Sequence, residues 1–290
     1  MKRKIVGIVI LMLVVTTVVS ATNINVKKDI QPTASGVDVP VWNVGDSWTY
    51  EENQTCYNYD THGNITFIWN FEYTSTYTVT KDTGDIYTLK MTAKNVKGNF
   101  MWGPTKIKFT RFTKVANEYQ LRKTDLAQVS WTEVWKGFVF WLRGNIGLPI
   151  PAQMYLIYDF IYTPPQVYTP FPLIAGTNGT IPNTHTHANT TCSLYWGLIP
   201  VWGPAEVNMN TGILQYTCEM ANITVPADTY NAYNVTAERF YGVSGHDYYR
   251  SYYVPEVGNA AKRSFHQDWD STGRLFISTE MKLVSTTYTP

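Results

Sequence analysis

Between Phe67 and Val79 the chain alternates with a period of two. Phe67, Trp69, Phe71, Tyr73, Tyr77 and Val79 fall on one face, and Ile68, Asn70, Glu72, Thr74, Thr76 and Thr78 on the other. A helix, at 3.6 residues per turn, cannot keep these two sets apart; a strand does so at every step. At about 3.3 Å per residue the run spans roughly 40 Å, well beyond the usual strand length. Lys81-Asp82-Thr83-Gly84-Asp85 then supplies turn chemistry, and Tyr87, Leu89, Met91 and Ala93 alternate on the return. The segment reads as a long β-hairpin.

The rest of the chain extends this pattern. Ile107 and Phe109, Tyr119 and Leu121, and Met154, Leu156, Tyr158 and Phe160 alternate in turn. Residues 126–142 fit two templates. Trp131, Val134, Phe138, Trp141 and Leu142 make a helical stripe, whereas Val129, Trp131 and Trp135 make a strand face. Gly137 and the density of aromatic and β-branched residues favour a strand. Pro164-Pro165 and Pro170-Phe171-Pro172 break the pattern and mark a crossover between two halves of a sheet. Asn178 to Thr191 is polar with no apolar period and reads as a loop. Strands follow at Ile223–Val225, Tyr233–Tyr241, Tyr248–Val254, Ala261–Trp269 and Leu275–Val284. In the last, Leu275, Ile277, Met281 and Leu283 face one way and Phe276, Ser278, Glu280 and Lys282 the other. Trp102-Gly103-Pro104 recurs as Trp202-Gly203-Pro204, too short a match to establish duplication. The expected class is all-β and antiparallel.

The N-terminus has its own logic. Met1-Lys2-Arg3-Lys4 precedes an apolar run from Ile5 to Val15 and then Val19-Ser20-Ala21, the layout of a secretory signal peptide cut after Ala21. The apolar run falls short of the roughly 20 residues that span a bilayer; retention as an uncleaved anchor is the alternative. Residues 22–40, polar with Pro32, Gly36 and Pro40, read as a flexible linker, and 41–290 as a single domain. Export implies an extracellular or cell-surface location. Six Asn-x-Ser/Thr acceptors suit it, at Asn53, Asn64, Asn178, Asn189, Asn222 and Asn234. Without Lys2, Arg3 and Lys4 the chain carries 20 basic and 22 acidic residues, a formal charge of −2. That balance argues against nucleic acid or an anionic membrane as the main partner. Of Cys56, Cys192 and Cys218, an oxidising compartment favours one pair. Cys192 and Cys218 are the disulfide candidates, being separated by a stretch that suits a hairpin with a long loop; such a bridge stabilises by roughly 3 kcal/mol. The alternative is three buried thiols.

Three stretches carry a resemblance. They are Val41-Trp42-Asn43-Val44-Gly45-Asp46-Ser47-Trp48-Thr49-Tyr50, the Val225-to-Val235 run Val-Pro-Ala-Asp-Thr-Tyr-Asn-Ala-Tyr-Asn-Val, and Tyr252-Tyr253-Val254-Pro255-Glu256-Val257-Gly258-Asn259. Together they resemble the exported TapB-like proteins, a group similar in fold to the LolA-like lipoprotein carriers. The resemblance implies a long-stranded antiparallel sheet curled into an open half-barrel, with little helix beyond the signal peptide. It implies no activity. Asp228 stands where that pattern has Gly. In physical terms, Pro226 ends a strand by removing a donor, Pro255 and Gly258 bracket a turn, and Trp48 and Tyr50 share a face able to plug one end of a curled sheet.

Catalytic signatures are few. Gly242-Val243-Ser244-Gly245 lacks the spacing of a nucleophile elbow. His185 and His187, two apart, are the weak metal candidates, with no neighbouring carboxylate; His266, Asp268 and Asp270 form a second alternate series. No Cys-x-x-Cys is present. Glu51, Glu52 and Glu256 read as surface charges. No catalytic residue and no cofactor follows from these patterns. The Trp and Tyr rings either fill the core, the favoured reading, or line a concave face that holds a lipid, isoprenoid or sugar. The expected function is non-catalytic: an exported glycoprotein binding a lipid or other apolar small molecule. The alternatives are an envelope component or adhesin, partnered by envelope proteins or glycans, and a hydrolase.

Overall fold

The structure, a computed structural model, describes residues 36–60, 62–102, 106–142, 149–196, 199–200, 204–210, 212–241, 245–270 and 274–290. The expected signal peptide and most of the expected linker lie outside the described residues. Among the described residues, fifteen strands form one sheet: β1 Ser47–Tyr59, β2 Ile65–Asp82, β3 Ile86–Trp102, β4 Lys106–Arg122, β5 Gln128–Leu142, β6 Pro149–Gln166, β7 Thr177–Ile181, β8 His185–Trp196, β9 Ile199–Pro200, β10 Pro204–Asn210, β11 Leu214–Thr224, β12 Thr229–Tyr241, β13 Gly245–Val254, β14 Asn259–Asp270 and β15 Arg274–Thr286. The described helical structure is one 3-10 turn, Pro255–Val257.

The order across the sheet is β10-β8-β6-β5-β4-β3-β2-β1-β15-β14-β13-β12-β11-β7, with β9 hung on β8. Every strand pairing among the described residues is antiparallel, and β1 lies beside β15. The edge strands β10 and β7 do not pair, so the sheet is open. It is nevertheless strongly curled. Laid flat at about 4.8 Å per strand, β7 and β8 would stand roughly 60 Å apart. The chain passes from Ile181 to His185 in four steps, which reach at most about 14 Å. A similarly short link joins β10 to β11. The two ends of the sheet must therefore curl round towards each other.

The long hairpin forms as its alternation predicts. Phe67, Phe71, Tyr73, Tyr77 and Val79 of β2 are buried, as are Tyr87, Leu89 and Met91 of β3. Gly84 supplies the left-handed residue of the turn at φ +83°. Residues 128–142 are strand, as expected. Residues 167–176 cross from β6 to β7 on the opposite edge, the crossover expected near Pro170-Phe171-Pro172. Its Leu173 packs with Cys218, Val235 and Tyr253.

Three expectations need correction. Asn178 to Thr191 is not a loop: β7 and most of β8 run through it. Its buried alternate positions are Thr184, Thr186, Ala188 and Thr190, small residues that carry no apolar signal. The folded part begins before Val41, because Val37 and Leu173 exchange backbone hydrogen bonds at 2.8 and 2.9 Å. No Cys192–Cys218 bridge forms: Cys218 is a free buried thiol. The register explains why, since Cys192 lies on β8, paired to β6, and Cys218 on β11, between β7 and β12. The turn at which Asp228 stands in place of Gly forms without a left-handed backbone there: the Val225 N–H donates to the Asp228 carbonyl at 3.0 Å, and the Asp228 carboxylate accepts the Thr229 N–H at 2.7 Å.

The three resembling stretches meet at one end of the sheet. Trp42 Nε1 donates to the Gly258 carbonyl at 2.8 Å, Trp48 Nε1 to Val257 at 2.7 Å and Tyr50 Oη to Ala260 at 2.9 Å. Val225, Ala232, Val254 and Val257 share this core cluster. Each ring thus buries its surface and satisfies its polar atom against one short turn. The plug expected from Trp48 and Tyr50 is built this way.

Candidate functional site

Beyond the plug, the curled sheet lines a partly open cavity of about 540 Å³. Its walls come from β1, β2, β4, β5 and β6 on one side and from β13, β14 and β15 on the other. The first side is aromatic. Tyr77, Tyr119, Trp131 and Phe160 line up across four strands, with centroids 5.9, 6.0 and 4.7 Å apart. Trp69 meets Trp135 edge to face at 4.8 Å. The second side contributes Tyr249, Phe265, Ile277 and Met281. The rings both fill one end of the sheet and line the space beyond it. Ile277 and Met281 face inward as expected, while Glu280 pairs with Lys262 and Lys282 at 2.7 and 2.8 Å.

Two carboxyl groups sit in this aromatic wall. Glu52 is 3% exposed, which overturns its reading as a surface charge; Glu51 and Glu256 are exposed. Period two explains the burial: Trp48, Tyr50, Glu52, Gln54 and Cys56 are alternate residues of β1, so the acid is carried inward in phase with the rings. Tyr73 Oη and Tyr77 Oη each donate to Glu52 at 2.9 Å, and Ser75 Oγ donates as well. Gln54 Nε2 donates to Tyr73 Oη at 2.7 Å. Burial pushes the Glu52 carboxyl above its ordinary range, against the opposing pull of these hydroxyls and of the Arg263 charge. Glu133 lies between Trp131 and Trp135 on β5 and accepts from Trp135 Nε1 at 2.6 Å. Burial raises its carboxyl to about 7; the Trp135 N–H opposes the shift and the Glu52 charge adds to it.

Several polar atoms at the cavity are buried with no hydrogen-bond partner in the protein. They are Asn117 Oδ1, Trp131 Nε1 and Arg263 Nε. Asn117 Nδ2 is held by Tyr119 Oη at 2.8 Å and an Arg263 amino group by Asn259 Oδ1 at 2.9 Å, so each side chain is fixed while one atom stays unpaired. Buried orphans of this kind are rare in native proteins.

The other candidates lie elsewhere. His185 and His187 do share one face of β8, but across the ladder they meet Asn210 and Asn208 at 3.2 and 2.8 Å. No cluster of three or more metal-binding side chains occurs among the described residues. Asn53, Asn64, Asn178, Asn189 and Asn222 are exposed, and Asn234 is half-buried. Cys56 lines the cavity with its thiol pushed by burial up to about 12. Sequence reasoning missed Glu133, Asn117 and Arg263. The signal for Glu133 was present, an acid two residues from a Trp on either side along a strand. No family model matches the chain, and no curated protein and no solved structure matches it.

Proposed function

We propose that the chain is an exported, N-glycosylated protein of the cell surface or medium that holds a small, largely apolar molecule in this cavity without altering it. The observation that carries the reading is the pairing of an aromatic wall with fixed, partnerless polar atoms. Rings bury an apolar body; Asn117 Oδ1, Trp131 Nε1 and Arg263 Nε are set to meet a polar group on it. The N-terminal layout, the exposed acceptor asparagines and the resemblance to TapB-like proteins support the same reading. Native mass spectrometry of protein purified from its own host tests it. The expected result is a retained small molecule, with affinity lowered about tenfold in Asn117→Ala, the size of one hydrogen bond of about 1.4 kcal/mol. Repeated ligand-free preparations that also take up no fluorescent fatty acid would overturn it.

One observation favours a second reading. Two carboxyl groups border one cavity, and Glu133 sits near pH 7, the pattern of an acid–base pair in glycoside hydrolysis. On that reading Glu133 is the proton donor. Turnover of a glycoside by the wild type, abolished in Glu133→Gln, supports it; no turnover across a panel of glycosides removes it.

A further inference from the structure

A cation stands unpaired at the cavity. Arg263 of β14 lines it, and its Nε is sealed from solvent with no hydrogen-bond partner. One amino group donates to Asn259 Oδ1, a neutral acceptor, at 2.9 Å. Among the described residues no carboxylate forms an ion pair with this guanidinium. The groups around it that act on its charge are the phenols of Tyr249, Tyr50, Tyr77 and Tyr119, which are uncharged at pH 7. The register explains why Glu52 does not serve. The row Ser251, Arg263, Met281, Glu52 crosses β13, β14, β15 and β1, so a whole strand separates base from acid, about 10 Å between backbones. Glu52 is already met by Tyr73, Ser75 and Tyr77. Ser251, beside Arg263, is buried and its Oγ also lacks a partner.

A guanidinium withdrawn from water without a counter-charge is costly, and proteins pair such groups or neutralise them. Arginine cannot be neutralised, because it keeps its proton at any physiological pH. The missing partner is therefore an anion brought by what fills the cavity. The surroundings of Arg263 select the kind of anion. Phe265 follows it on the same face of β14, and Met281 is its register partner on β15. Trp131, Trp135 and Phe160 line the aromatic side. An inorganic anion would leave these surfaces wet, whereas a carboxylate on an apolar body meets the cation and covers the rings. About 540 Å³ lies within the range of clefts that take a drug-sized molecule. Asn117 Oδ1 is an acceptor and cannot hold a carboxylate. It stands on β4 and Trp131 Nε1 on the paired strand β5, so together they suit a hydroxyl, which donates to one and accepts from the other.

We propose that the molecule held in the cavity is an organic acid, whose carboxylate accepts from Arg263 Nε and whose apolar body covers the aromatic side. This rests on the reading of the cavity as a binding site and adds the chemical class of what it binds. Burial moves Glu52 and Glu133 towards their neutral forms, so the cavity's own acids repel such a ligand less than two full charges would.

Titration calorimetry of the full chain, as its host processes it and freed of bound molecules on an apolar resin, tests this. The probes are decanoate and 2-naphthoate, each beside the alcohol of the same body, decan-1-ol and 2-naphthol. Decyltrimethylammonium supplies the opposite charge and acetate the bare headgroup. At least one acid is expected to bind at least tenfold tighter than its alcohol, a comparison that needs no variant. Arg263→Met should lower acid affinity at least tenfold and leave alcohol affinity within about threefold. Ligand-free, the variant should melt no lower than wild type, because it removes a buried unpaired charge. Lowered melting with the acid preference unchanged would make Arg263 structural and overturn the assignment. Equal binding of acid and alcohol overturns it and leaves the cavity a site for neutral molecules. Tighter binding of decyltrimethylammonium overturns it in favour of a cation held by Glu52, Glu133 and the rings. Acetate bound as tightly as decanoate would reduce the site to one for small anions and overturn it too. No binding by any probe removes the cavity reading itself, and the acid with it.

Discussion

At the residue scale, the cavity acids carry the most consequence. Glu133 ionises near pH 7 in the folded protein against an ordinary 4.5. Between those values the folded chain holds a proton that the unfolded chain has released, so stability falls as pH rises across the window and levels off above pH 7. Glu133→Gln keeps an acceptor for Trp135 Nε1 and removes this term. Its urea stability should fall less than wild type from pH 5 to pH 8, by on the order of 3 kcal/mol at about 1.36 kcal/mol per pH unit. Some slope remains, because the Glu52 carboxyl is raised too. Identical slopes in the two proteins would show that Glu133 is not desolvated. Both acids were legible in principle: each lies in phase with tryptophans along its strand. What hid them was the habit of assigning charge to the surface, which fails wherever hydroxyls or an indole N–H receive the carboxylate.

At the element scale, the 3-10 turn that ends in Gly258 joins the sheet's plug. Gly258 has φ +64°, and a Cβ there would lie 2.5 Å from the Tyr288 ring. Gly84, at φ +83°, has open space around its Cβ position. Gly258→Ala should therefore destabilise by on the order of 1–3 kcal/mol more than Gly84→Ala in thermal unfolding, since the first adds overlap to the backbone strain both share. Equal effects would mean that Tyr288 moves aside freely. Elements of this molecule were readable to the degree that their inward positions were large. β2 and β3, with Phe, Tyr, Val, Leu and Met inside, stood out; β8, with Thr186, Ala188 and Thr190 inside, read as loop, as did β7, whose five residues bury Ile181 alone. Alternation is detected through side-chain size and polarity, and small interior residues erase both signals. The cavity was legible only as a choice between a filled and a hollow concave face. Sheet curvature decides that, and it depends on which distant strands are tied by short links.

At the scale of the whole molecule, the seam between β1 and β15 holds the sheet's centre. Eleven registered pairs from Trp48↔Thr286 to Asn58↔Leu275 join the two ends of the chain. Removing Arg274–Pro290 would strip one side of both β1 and β14 and expose two rows of backbone donors and acceptors in mid-sheet. The shortened chain should lose its cooperative thermal transition and aggregate. A sharp transition with native near-ultraviolet dichroism would show instead that β1 and β14 close on each other.

The same seam sets a timetable for biosynthesis. A ribosome delivers β1 early and β15 last, with about 200 residues between Tyr59 and Arg274. At roughly 5–20 residues per second, one flank of β1 waits on the order of 10–40 s for its partner. Throughout that interval it is a sticky template for other nascent chains. A holdase that covers extended, aromatic segments should therefore raise the yield of this protein more than a catalyst of any later folding step.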